Sequence, residues 1–196
     1  MSGHNHPHNH LPDDFEGVYA SGVQWSGNPN DTLVREAGAL TPATALDVGC
    51  GEGADAVWLA ENGWNVTAID PSATAIERTR ALAAEHDVAV EAICGDAAAL
   101  VGRSFDLVTC SYVPFTDGAA VAQLEALVAP GGTLLFVHHD LDPSESRGIL
   151  GPRDVAELLT ELSVVELKSA KRHVTSGAGA HHTDDVVLVA AAAAQR

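Results

Sequence analysis

Residues 45–63, "ALDVGCGEGADAVWLAENG", place three glycines in five positions (Gly49, Gly51, Gly53) between an apolar run and a helical pattern. A turn needs one such residue, or two. Three imply that a ligand or another chain segment must meet bare backbone at the junction of a strand and a helix. "TALDVG" (44–49) reads as a short buried strand, and "ADAVWLAEN" (54–62) reads as a helix closed by Gly63.

The same alternation repeats on both sides. A short helix is expected from Asp31 to Leu40 with Asn30 as its N-cap. "NVTAID" (65–70) reads as the second strand, followed by a helix opened by Pro71 and Ser72 and running to about His86. "VAVEAI" (88–93) and "FDLVTC" (105–110) supply the third and fourth strands. A helix with Val121, Leu124, Leu127 and Val128 on one face is expected to close at "APGG" (129–132), before the strand "TLLFVH" (133–138). Pro152 opens another helix at its first position. "SVVELKSA" (163–170) and "DDVVLVAA" (184–191) read as a final antiparallel pair. The expected architecture is α/β, an open, mostly parallel sheet of seven strands between two helical layers. Ligands of such sheets sit beyond the carboxyl ends of the strands.

Composition narrows the function. Twenty-seven acidic against ten basic residues in 196 give a net charge of −17, which repels phosphate backbones and anionic lipid. Nucleic-acid and membrane-surface partners are therefore not expected. The three cysteines (Cys50, Cys94, Cys110) have neither C-x-x-C spacing nor an even count and read as reduced, mostly buried thiols. With no signal-peptide pattern and no run of 18 apolar residues, a cytoplasmic protein is expected. The leader "MSGHNHPHNHL" alternates histidines (His4, His6, His8, His10), which permits metal chelation but reads more simply as a solvated tail.

Acids at two further strand ends qualify the glycine bend. Asp70 ends the second strand, where a carboxylate takes both hydroxyls of a ribose. Asp96 follows the third, where it accepts from an exocyclic amine such as that of adenine. With these residues the chain resembles the class I S-adenosylmethionine-dependent methyltransferases. "LDVGCGEG" (46–53) is similar to their glycine-rich motif, "VTAIDPS" (66–72) to their ribose-binding acid, "CGDA" (94–97) to their adenine-side acid and "LVAPGGTLLF" (127–136) to their turn into the fifth strand. "VQWSGNPNDTLV" (23–34) and the tail "RHVTSGAGAHHTDDVVLVA" (172–190) resemble the small-molecule group near the tellurite-resistance and thiopurine methyltransferases.

The resemblance implies a three-layer Rossmann-like fold in which residues 1–15 are a flexible leader, 16–42 a lid segment with a helix, and 43–196 the domain that binds S-adenosylmethionine. It places Asp47 near the methionine amino group and the backbone of Gly49, Cys50 and Gly51 along the methionine portion. Asp70 then holds the ribose, Pro71 flanks the adenine, and Asp96 with Ala97 closes its other edge. Cys110, Ser111 and Tyr112 pass beneath the sulfonium, and Trp25 lies on the lid. The implied reaction is in-line methyl transfer to a small thiol, chalcogen or hydroxyl acceptor, with no metal. His139 and His173 rank first as general bases, because histidine titrates near neutrality and both should point toward the strand ends. "CSYVPF" (110–115) departs from the [D/N]-P-P-[Y/F] form that accompanies planar amide or amine acceptors. His181 stands where the tellurite group carries arginine. A homodimer is compatible with this reading. Two other readings stay open on the residues alone: a nicotinamide-dependent oxidoreductase using the same bend and Asp70, and a non-catalytic metal-handling protein using the histidine leader.

Overall fold

The computed structural model describes residues 15–140, 146, 148–171 and 184–194. The histidine leader lies outside these residues, as do His173, His181, His182 and the link between the last two strands.

The strands are β1 (Thr44–Val48), β2 (Asn65–Asp70), β3 (Val90–Cys94), β4 (Phe105–Ser111), β5 (Val128–His139), β6 (Leu162–Lys171) and β7 (Asp184–Ala192). They form one sheet in the order β3-β2-β1-β4-β5-β7-β6. Pairing is parallel from β3 to β5 and antiparallel from β5 through β7 to β6, as the sequence led us to expect. The chain leaves β1 toward β2 on one side and returns to β4 on the other. The β1/β4 junction is thus the switch point of the sheet, where the strand ends diverge and leave a crevice.

Among the described residues the α-helices are α1 (Phe15–Ala20), α2 (Asp31–Ala37), α3 (Ala54–Glu61), α4 (Ala73–Glu85), α5 (Gly118–Ala126) and α6 (Pro152–Leu158). Strand side chains alternate between two cores because successive residues point to opposite faces. Leu46, Val48, Val108, Leu134 and Phe136 pack with Val121 and Leu124 of α5 and Val155 of α6. Ala45, Val66, Ala68, Leu135 and Val137 pack with Leu33 of α2, Leu59 of α3 and Ile76 of α4. Phe136 is fully buried, and truncating such a side chain to alanine costs about 3–5 kcal/mol. Asp47 shares the face of Ala45 and is 2% exposed, a carboxylate where the alternation would place an apolar residue.

Two local expectations shift. Helix α5 ends at Ala126, and Val128 already pairs with Phe105 at the start of β5, with a register irregularity before Leu107 meets Thr133. Val128 is β-branched, and the residue before Pro130 is driven toward extended backbone, so the chain straightens earlier than the apolar spacing implied. Cys94 is exposed, while Cys50 and Cys110 are buried thiols. Among the described residues no helix is long and apolar enough to cross a membrane.

Candidate active site

The bend after β1 explains its glycines by what touches them. Gly53 (φ +90) abuts α4: an added Cβ would fall 2.9 Å from the Thr79 Cα and 2.8 Å from its Oγ1. At Gly49 (φ +67) a Cβ would lie 2.3 Å from a methyl of Val113. Both positions combine a left-handed backbone with a close neighbour, so neither tolerates a side chain. Gly51 is roofed instead by Tyr19 and Trp25, which are joined by a Trp25 Nε1 to Tyr19 hydroxyl bond of 3.2 Å.

That roof belongs to the segment before β1 and is tied down by side chains from the bend and α4. Glu52 accepts from the backbone N–H groups of Gln24 (3.2 Å) and Trp25 (3.0 Å). Arg78 of α4 bonds Glu52 at 2.6 Å and donates to the carbonyls of Gly22 and Tyr19, each at 2.8 Å. Glu16 of α1 accepts from the Ser72 hydroxyl at 2.6 Å and from the Thr74 hydroxyl.

Between this roof and the strand ends lies a cavity of about 630 Å³. Its wall includes Trp25, Asp47, Gly49, Cys50, Gly51, Asp70, Pro71, Ser111 and Tyr112, nine of the residues singled out in the sequence. Asp70 Oδ2 accepts from the Gly51 N–H at 3.0 Å and Oδ1 from the Ser72 N–H at 2.9 Å. The carboxylate therefore braces the bend and the start of α4 while facing the cavity. Burial raises its pKa, and those two N–H groups oppose the rise. Asp47 Oδ2 is buried with no hydrogen-bond partner among the described residues. Burial, then the charges of Asp55 and Asp70, hold the Asp47 carboxyl well above the usual carboxylate range. Burial also pushes Asp55 up to about 6, against its bonds from the Asn30 N–H (2.7 Å) and the Ser111 hydroxyl (3.3 Å). The Cys50 and Cys110 thiols are raised chiefly by burial and so stay neutral at physiological pH.

The remaining candidates stand elsewhere. Asp96 is exposed and caps a short 3₁₀ turn (Ala97–Leu100) by accepting from the Ala98 N–H at 3.0 Å; neither it nor Ala97 borders the cavity. Cys110 is fully buried in the core beneath β4. His139, the last residue of β5, lies behind the wall: its ring stacks on Tyr112 with centroids 4.6 Å apart, and its Nδ1 lies 3.0 Å from Asp185 Oδ1.

Several wall residues were not foreseen. Asn30 was read only as a helix cap, and Asp55, Glu52, Arg78 and Asp185 were not read as site residues. Asp55 and Glu52 sit in or beside the glycine motif and were legible as polar residues there. Arg78 and Asp185 reach the cavity from positions 26 residues and more away, through contacts no local pattern encodes. Seven carboxylates border the cavity (Asp31, Asp47, Glu52, Asp55, Asp70, Glu85, Asp185) against two bases, Arg78 and Lys171. Both bases are already paired, Arg78 with Glu52 and Lys171 with Asp184 at 2.5 Å. A cavity of this balance favours a cation and disfavours a pyrophosphate. Among the described residues no group of three or more His, Cys, Asp or Glu is placed to hold a metal ion.

Residues 45–132 match the methyltransferase domain family. The chain is 36% identical over 137 residues to a ubiquinone biosynthesis O-methyltransferase of Alkalilimnicola ehrlichii, an alignment covering 66% of this chain and 55% of that relative. It spans about half the length of the curated relatives it matches. Among solved structures, one described as the conversion of a disulfide bond into a thioacetal group during echinomycin biosynthesis superposes with a TM-score of 0.77 at 20% identity. That match covers 93% of this chain and 92% of the other. TehB from Haemophilus influenzae gives a TM-score of 0.66 at 18% identity, over 82% of this chain and 61% of that one. These structural likenesses carry the fold, and the sequence match carries the kinship. The glycine bend, the acid at the end of β2 and the β1/β4 crevice are the central features of residues 45–132, the segment that matches the methyltransferase domain family.

Proposed function

We propose that this protein transfers a methyl group from S-adenosylmethionine to the hydroxyl, thiol or chalcogen of a small acceptor. The observation that carries the reading is the acidic cavity at the glycine bend, in which Asp47 presents a buried oxygen with no partner among the described residues. A cationic ligand answers both features. Burying a lone carboxylate is costly, and an ammonium group relieves that cost. A nicotinamide dinucleotide would bring two phosphates into the same wall, so the oxidoreductase reading is disfavoured.

In this proposal Asp47 receives the amino group of the methionine portion, the backbone of Gly49, Cys50 and Gly51 lies along that portion, Asp70 takes the ribose hydroxyls, and Pro71 flanks the base. When bound, the group supplies a methyl carbon activated by a positively charged sulfur. The protein's part is to align an acceptor and exclude water. Alignment can contribute as much as about 7–11 kcal/mol. The roof formed by Tyr19 and Trp25, held by Glu52 and Arg78, supports the role of residues 16–42 as a lid. A hydroxyl acceptor gains weight from the ubiquinone-pathway relative, and a small one from the modest cavity.

The test is release of S-adenosylhomocysteine from S-adenosylmethionine in the presence of a panel holding catechol, thiophenol and selenide. Turnover with at least one, insensitive to added NAD, supports the reading. Binding of NAD in place of the methyl donor overturns it.

A further inference from the structure

Tyr112 is the first residue after β4 and borders the cavity with a left-handed backbone (φ +59). A tyrosine in that region is held there against a cost of order 1–3 kcal/mol, so its surroundings must specify it closely. They do so at its hydroxyl. Asn30 Oδ1 is committed to capping α2, accepting from the Thr32 N–H at 2.8 Å, which fixes the amide's orientation and leaves Nδ2 as the atom facing Tyr112. Asn30 Nδ2 therefore donates to the Tyr112 hydroxyl at 3.1 Å, and that hydroxyl donates to Asp185 Oδ2 at 2.7 Å. Asp185, 3% exposed on β7, uses its other oxygen at 3.0 Å from His139 Nδ1. His139 in turn stacks on the Tyr112 ring. Asn30 from α2's cap and Asp185 from β7 thus converge on one phenolic oxygen at the cavity wall, with His139 of β5 bonded to Asp185 behind it.

We propose that Tyr112 is the group that receives the acceptor's proton, with Asp185 taking up the tyrosine's own proton and His139 acting as a positioning residue behind both. The proposal rests on the methyl-transfer reading above and concerns a neutral hydroxyl acceptor. As the acceptor oxygen bonds the methyl carbon, the carbon–sulfur bond breaks with its electron pair on sulfur. The acceptor's O–H bond leaves its pair on oxygen, and its proton bonds to Tyr112 Oη. The proton already on Oη moves to Asp185 Oδ2. The sulfonium charge and the carboxylate charge disappear together, and Tyr112 is regenerated unchanged. Asp185 Oδ1 accepts from His139 Nδ1–H, which selects that tautomer and keeps Oδ2 directed at the tyrosine.

The experiment uses the full chain, with Tyr112→Phe, Asp185→Asn and His139→Gln variants. Nitrogen-15 NMR, assigned through His139→Gln, is expected to show His139 protonated at Nδ1 in the parent and in Tyr112→Phe, and shifted away from that tautomer in Asp185→Asn. Turnover of catechol is expected to fall about 10²–10⁴-fold in Tyr112→Phe. Methylation of thiophenol, whose thiolate needs no base, stays within about threefold, the scatter expected of a change that removes no proton acceptor. An equal loss with both acceptors overturns the proposal, as does a His139 tautomer indifferent to Asp185→Asn. A parent protein that fails to bind S-adenosylmethionine defeats the methyl-transfer reading instead, while the NMR result still judges the Asp185–His139 link.

Discussion

The two walls of the cavity are built differently. One is main chain: the bend of Gly49, Gly51 and Gly53, braced by Asp70, all within 22 consecutive residues. The other is side chain: Asn30, Ser111, Tyr112 and Asp185, with His139 behind them, joined by hydrogen bonds that span as many as 82 residues. The first wall depends on backbone geometry, so damage to it should reach stability and ligand binding together. The second depends on hydrogen-bond direction, so conservative changes there should leave the fold standing and alter proton handling. The lesson is that a motif read from sequence locates a site by its backbone, while the chemistry beside it is assembled from distant parts.

The largest effect is expected at the first wall. Gly53→Val adds a branched side chain against the Thr79 backbone in a left-handed conformation and should cost about 3 kcal/mol of stability by urea denaturation. Gly27→Ala has a similar φ of +76 but open space around it, and should cost about 1 kcal/mol. Equal costs would mean that close approach to α4 contributes nothing.

The seam between the walls holds Asp55, and its titration supplies the next test. Its pKa is raised on folding to about 6 by burial, so the folded state keeps a proton that the unfolded state releases near pH 4. Stability contributed by this group is therefore present below about pH 4 and is lost as pH rises through about 6. Asp55→Asn, which retains an oxygen for the Asn30 N–H, should be more stable than the parent at pH 7 by on the order of 2 kcal/mol. The advantage should shrink toward zero at pH 4. Guanidinium melts of both proteins across that range check the sign.

A smaller effect is expected where the roof is latched. Arg78→Gln removes one ionic bond and two bonds to the carbonyls of Gly22 and Tyr19 at a partly exposed site, costing about 1 kcal/mol and increasing acrylamide quenching of tryptophan as Trp25 loosens. The smallest is at Asn30. Serine there keeps the helix cap and should cost under about 0.5 kcal/mol, whereas alanine should cost about 1 kcal/mol. A catechol turnover defect shared by both would then come from the lost amide at Tyr112 rather than from the cap.

The contrast also accounts for what the sequence disclosed. The strand positions followed from apolar and β-branched runs ending in glycine or acid, and the Asn30, Ser72 and Pro152 helix starts from their capping chemistry, while the order of the strands in the sheet was not read from the sequence. Asp47, Asp70 and the bend were legible because all of them lie within one strand–turn–helix–strand stretch of the chain, the acids at or beside strand ends. Asp96 was a strand-end acid by the same logic, yet its side chain satisfies the next turn, a local use that spacing cannot distinguish from a ligand contact. His139 was placed at the correct strand end, but Tyr112 stands between it and the cavity. Asp185 and Arg78 gave no signal, since a single charged residue at a strand start or on a helix face looks like any solvated one until tertiary contacts bury it.

Isothermal calorimetry of the full chain with S-adenosylmethionine, alongside Asp70→Ala, tests the central claim most directly. The account predicts saturable one-site binding to the parent, weakened at least about tenfold by the substitution, as expected when a buried carboxylate partner is removed. No heat with the parent, or equal affinity in the two proteins, contradicts it.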